Sequence, residues 1–224
     1  VYGPNYEAEI GSHVKDGKAV DVRMEFGNMI LSKTPVLLSR NLLLPRTRSY
    51  GRLNLQRGAL EALVDTPLGP VRFYSVHLDH RGADERMRQV RFLMERLIAY
   101  PVEGGAVSGI SEFGFPEPPT PEAFVAMGDF NMLAGSPEYN VVAGTPDHEF
   151  GTPLVARHGV DAALLAGGDL SPTCVNMEDP ADESRWKRID YCFVHASLAA
   201  QVRGTRVDAQ AAGSDHRPLW VELG

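Results

Sequence analysis

The sequence predicts an α+β fold in which two β-sheets pack face to face with helices outside. Three observations carry this. Many short runs rich in apolar and β-branched residues are bounded by Gly, Pro, Asp or Asn and read as strands. Few segments show a helical period, so strands and helices do not alternate as they do in a doubly wound sheet. Two of the strand runs are joined by Thr66-Pro67-Leu68-Gly69-Pro70, a tight turn that predicts a β-hairpin. A length of 224 residues suffices for one large α/β domain with a substantial core, and one domain is expected over 1–224.

In chain order, strands are expected at 28–32, 36–38, 59–64 and 71–76. The best helix spans about 84–99, where Met87, Val90, Leu93, Met94, Leu97 and Ile98 recur at three- and four-residue steps as one apolar face. Residues 100–121 hold five prolines and four glycines in 22 positions and read as a long surface loop. A strand at 124–127 leads to a short helix with Ser136 as N-cap, Pro137 in the first turn and Gly144 as the stop. Strands at 189–194 and 219–223 complete the set.

Hydrophobic content of 43% and charged content of 23% are ordinary for a soluble globular chain. The longest apolar stretch, 35–45, is interrupted by Ser39, Arg40 and Asn41 and falls short of the roughly 20 residues of a membrane span. No signal peptide is visible. A net charge of −7 argues against long nucleic acid as the main partner, because such proteins usually carry a basic stripe. Arg40, Arg46, Arg48, Arg52 and Arg57 do cluster, and read as a solvated loop or a phosphate-binding surface. Cys174 and Cys192 form neither a disulfide framework nor a zinc signature. Cys192 lies in an apolar run as a buried thiol, and a cytoplasmic, reducing setting fits. No obligate protein partner is indicated. A chain starting at Val1 reads as processed, trimmed or incomplete.

Four motifs carry chemistry, each at a strand end. Gly128-Asp129-Phe130-Asn131 follows an apolar strand; glycine permits the sharp turn that points Asp129 and Asn131 to one side, where they can position water and bond a phosphate oxygen. Ser75-Val76-His77-Leu78 ends a strand in imidazole. Arg188-Ile189-Asp190-Tyr191 puts an aspartate where it can orient a histidine from a neighbouring strand. Ser214-Asp215-His216-Arg217-Pro218 sets a hard oxygen ligand beside an imidazole, and Asp suits Mg²⁺. Together they suit metal-assisted attack of water on phosphate.

These motifs, with Phe26-Gly27-Asn28-Met29-Ile30-Leu31-Ser32-Lys33, resemble the endonuclease/exonuclease/phosphatase superfamily from about Tyr2 to Leu223. The resemblance implies a four-layered α/β sandwich, two packed mixed β-sheets flanked by helices. It implies Mg²⁺- or Mn²⁺-dependent hydrolysis of a phosphate ester by a phosphodiesterase or a phosphatase, with a phosphodiester favoured and the substrate small, lipid-linked or nucleic acid. Alternatives are a DNA or RNA nuclease and a catalytically weakened binding domain of the same fold. By resemblance, His216 is the general base or the phosphate-side histidine and Asp190 orients it. Asp215 is a metal ligand, Asp129 positions water or metal, Asn131 stabilises the transition state, and His77 acts as acid or phosphate donor. Asn28 and Arg188 are candidate substrate-binding residues. The AP-endonuclease branch lacks a histidine at His77, which favours the deoxyribonuclease- and sphingomyelinase-like branches. The family's opening strand with an asparagine, and its Gln-Glu metal ligand, have no counterpart here, so weakened metal binding is expected.

Overall fold

The computed structural model describes residues 1–179 and 181–224. The chain opens with a long antiparallel ribbon, β1 (Tyr2–Lys15) and β2 (Lys18–Met29). Asp16 and Gly17 join them at φ 52° and 71°, the positive values that an Asp-Gly hairpin turn demands. Then follow β3 (Val36–Leu43), β4 (Gly58–Thr66) and β5 (Gly69–His77), with the expected hairpin between β4 and β5. Helix α1 (Ala83–Glu103) leads to β6 (Phe124–Asp129), α2 (Pro137–Ala143), β7 (Gly159–Asp161) and α3 (Ala162–Leu165). The chain closes with β8 (Asp190–His195), β9 (Val202–Val207) and β10 (Leu219–Leu223).

Six strands form a mixed sheet in the order β3-β4-β5-β6-β8-β7. Only β5 and β6 pair in parallel, so α1 is the crossover such a connection requires. One face of the sheet, through Tyr74, Val76, Ala126, Tyr191 and Phe193, packs on Val90, Leu93, Met94 and Leu97 of α1 and on Tyr139 and Val142 of α2. Ile98, expected on this apolar face, is 43% exposed, because α1 buries a narrower stripe than its apolar pattern suggests. The other face carries Val71, Val125, Cys192 and Val194. Two antiparallel pairs cover it: β9–β10 through Val202, Leu219 and Val221, and β1–β2 through Asn28 and Phe26 against Ser75 and His77. The fold is thus an α+β sandwich, and its second β layer is made of these two pairs. The strand expected at 28–32 is the end of β2, which stops at Met29. No helix among the described residues is long and apolar enough to cross a membrane. Both cysteines are free.

Gly128 shows how the fold aims the chemistry. It lies in β6 between β5 and β8 at φ 134°, and a Cβ there would collide with the Val76 carbonyl oxygen. Gly128→Ala is therefore expected to cost about 3 kcal/mol or more, a fall of about 6 °C or more in melting temperature. Thermal unfolding followed by circular dichroism checks this; an unchanged melt would show that the strand end relaxes freely.

Candidate active site

Pairing register brings three chemical groups to one sheet edge. His77 lies opposite Asp129 in the parallel β5–β6 pair, and Asp129 lies opposite Asp190 in the antiparallel β6–β8 pair. Counting in twos along each strand reaches Val71, Val125 and Cys192, so all three project from the sheet face that carries β1–β2 and β9–β10. His216 comes from the segment before β10, which is stitched to 173–175 by the Val175 N–H donating to Asp215 O (2.8 Å) and Arg217 N–H to Thr173 O (2.6 Å).

His216 Nδ1 lies 2.8 Å from Asp190 Oδ2, and its Nε2 lies 4.0 Å from Asp129 Oδ2. The hydrogen bond with Asp190 outweighs burial and lifts His216 to about 9, so it is an imidazolium at neutral pH. Buried Thr173 fixes the start of β8: its hydroxyl oxygen accepts the N–H groups of Ile189 (3.1 Å) and Asp190 (3.0 Å).

Asp129 is the hub. Its Oδ1 accepts the Asn131 backbone N–H and its Oδ2 the Asn131 side-chain amide, both at 2.8 Å. Burial, then the neighbouring Asp190 charge, raise the carboxyl to about 6. Asn131 takes φ 48° to make this loop. Its amide also donates to Leu78 O at 3.1 Å, so both amide protons are engaged within the protein and its observed work is to hold Asp129.

His77 Nε2 lies 3.4 Å from Asp129 Oδ2 and 2.6 Å from Arg57 Nη1. Arg57, only 3% exposed, reaches His80 Nδ1 with Nη2 at 2.7 Å. A guanidinium only donates, so His77 accepts at Nε2 and is neutral; His80 faces guanidinium N–H groups at both ring nitrogens, from Arg57 and from Arg81 Nε (2.9 Å), of which a neutral imidazole accepts one. Burial first, and the Arg57 charge second, push His77 down to about 4. Arg57 is the residue that sequence reasoning misses. It belongs to the arginine cluster at 40–57, but no local pattern separates it from solvated neighbours; its place immediately before buried β4 is the available signal.

Three expectations are corrected or refined. Asn28, expected to bind substrate, is buried, accepting from Asn5 Nδ2 at 3.0 Å and facing Ser75 Oγ at 3.5 Å, contacts that dock β2 onto β5. Arg188 turns away: Nη2 bonds both Asp161 oxygens at 2.8 and 2.9 Å, and its guanidinium stacks over Tyr191. Asp161 is buried, and a buried carboxylate demands such a partner. Asp215 is exposed, beside Cys174 and His216.

The donor set fits a hard divalent cation. Asp129 and Asp215 offer carboxylate oxygens, and Mg²⁺ is commonly held by one or two carboxylates plus water and substrate oxygens. The supporting observation is the half-buried Asp129 carboxyl, raised first by burial and then by the neighbouring Asp190 charge, so that a cation would relieve the cost of its ionised form. Beside the cluster runs a groove of about 800 Å³ whose lining includes Arg81, Arg86, Asn131, Arg185 and Lys187.

The model of the endonuclease/exonuclease/phosphatase family matches residues 4–216. No curated protein sequence matches the chain. Among solved structures, a family protein from Leptotrichia buccalis is similar at 16% identity and TM-score 0.57, over 98% of this chain and 71% of that one. One from Bacteroides vulgatus is similar at 20% identity and TM-score 0.56, over 97% and 76%. The Bacteroides thetaiotaomicron mannosyl-6-phosphatase is similar at 18% identity and TM-score 0.54, over 97% and 77%. At such identities the likeness is one of fold.

Proposed function

This chain belongs to the endonuclease/exonuclease/phosphatase family, and from that premise we propose that it is a divalent-metal-dependent phosphoesterase that hydrolyses a phosphodiester by in-line attack of water. The observation that carries the reading is Asp129, with its carboxyl at about 6, set between imidazolium His216 and the His77–Arg57 pair. Mg²⁺ or Mn²⁺, held by Asp215 with water and substrate oxygens, would supply charge neutralisation at a phosphoryl oxygen.

The remaining roles belong to the chain itself. Asn131 fixes the Asp129 carboxylate, which orients the attacking water and takes its proton; a base near the working pH suits that task. His216, kept cationic by Asp190, donates to a phosphate oxygen as negative charge builds, which favours the phosphate-side role over the base. His77 is neutral and presents Nδ1–H while Nε2 accepts from Arg57, which fits a phosphate donor and not a general acid at neutral pH. Arg57 sets the positive field behind it. Arg86 is paired with Glu138 of the same groove at 3.2 Å, and the other cations, Arg81, Arg185 and Lys187, favour an anionic remainder of the substrate and keep a nuclease as second reading.

The test is hydrolysis of bis(p-nitrophenyl) phosphate with Mg²⁺, Mn²⁺ or EDTA. Turnover that needs metal and is lost in His216→Ala supports the reading. Turnover that survives EDTA would overturn it. Cleavage of plasmid DNA that falls steeply with salt, against a silent generic ester, would select the nuclease.

A further inference from the structure

We propose that Cys174, Asp215 and His216 form an inhibitory zinc site at the mouth of the active site. One donor atom from each, a thiol sulfur, a carboxylate oxygen and an imidazole nitrogen, lies within 4.8 Å of the others. This mixture is the wrong one for Mg²⁺, which takes oxygen, and the right one for Zn²⁺, which binds all three. Around a tetrahedral zinc with bonds of about 2.0–2.3 Å, donors sit roughly 3.5 Å apart. Asp215 is exposed and Cys174 half-exposed, so their side chains have room to close on His216, which Asp190 holds.

The backbone is already organised for it. Cys174 pairs with Lys187 through two backbone hydrogen bonds of 2.9 Å and bridges to His216 on its other side. The Val175–Asp215 and Thr173–Arg217 bonds lock the same two segments in register. Zinc-binding histidines characteristically present one nitrogen to the metal and the other to a carboxylate. His216 has that second half in place: Nδ1 faces Asp190, which leaves Nε2, 4.0 Å from Asp129 Oδ2, as the nitrogen for the metal. Burial first, then the Asp215, Asp190 and Asp129 charges, push the Cys174 thiol up, and these three carboxylates outnumber the cations Lys187 and His216 beside it. Cys192 offers no rival, being 3% exposed.

Binding would release the Cys174 thiol proton and the extra His216 proton to solvent and leave the fourth zinc position to water. The inhibitory consequence rests on the proposed phosphoesterase reading. Zinc would engage the Asp215 carboxylate proposed for Mg²⁺ and the imidazolium proposed for the phosphate, producing a dead-end form; metal capture itself does not depend on that reading.

Cobalt is the probe, because a thiolate bound to Co²⁺ gives a near-ultraviolet charge-transfer band. The wild-type protein is expected to show the band, to lose it on adding zinc, and to lack it in Cys174→Ser. Zinc should also slow alkylation of native Cys174 by iodoacetamide at least about tenfold, a reading that needs no variant to fold. With excess Mg²⁺, half-inhibition of Cys174→Ser should need at least about tenfold more zinc than the wild type. Absence of the wild-type band, unprotected alkylation, or equal zinc sensitivity in both proteins overturns the proposal. A band without any esterase turnover leaves the site standing and overturns the catalytic reading instead.

Discussion

Asp129→Asn is expected to lower kcat/KM for a phosphodiester by about 10³-fold or more while raising thermal stability above pH 6. The activity loss follows because the amide neither accepts the water's proton nor offers a cation its charge. The stability gain follows from the carboxyl being held at about 6 against an ordinary 3.8. A raised carboxyl favours its protonated form, so its contribution is fully present below about 3.8 and is lost as pH rises through 6. Above that, the folded protein carries a buried charge beside Asp190. Two pKa units correspond to about 3 kcal/mol, and weakened bonds from Asn131 offset part of it. We expect a net gain near 1 kcal/mol at pH 8, about 2–4 °C in melting temperature, vanishing toward pH 4. Melts and initial rates across pH check both halves. Retained turnover would remove Asp129 from the mechanism, and a lower melting temperature at pH 8 would show that its hydrogen bonds outweigh its charge.

The same site is partly legible in the sequence. His77, Asp129, Asp190 and His216 can be picked out because each ends or begins an apolar run, and strand ends of a mixed sheet meet at one edge. Ser136, Pro137 and Gly144 bound α2 as their cap chemistry requires. By contrast, β1 and β2 face solvent over most of their length, so no apolar alternation marks them; Asp16-Gly17 is the one usable signal. β9 is interrupted by Gly204 and is equally silent. Arg57, Asn28 and Arg188 share a different difficulty. Each is a polar residue whose partner lies far away in sequence, His77, Asn5 and Asp161 respectively, and burial alone decides whether it serves substrate or scaffold.

Arg57→Met separates those two uses. It is expected to cut kcat by about 10²–10³-fold, the usual consequence of removing a preorganised positive group from a developing anion. Stability should fall by about 1–3 kcal/mol, since His77 Nε2 and His80 Nδ1 lose their donor. The charge that Arg57 places on the site is read from the His77 titration, and the rate decides whether that charge serves catalysis. Burial is the larger cause of its descent to about 4 and Arg57 the second, so the variant's His77 should titrate higher, yet still below 6.5. Because that pKa is depressed, the wild-type fold loses stability as pH falls from 6.5 through 4. In the variant the loss should be complete at a higher pH. Arg57→Lys restores the charge but cannot serve both histidines with a planar fork, so it should recover the His77 shift better than the rate. Histidine proton resonances followed against pH, alongside kcat, decide it. A rate unchanged by Arg57→Met, with the His77 shift observed, would confine Arg57 to holding the two histidines in place.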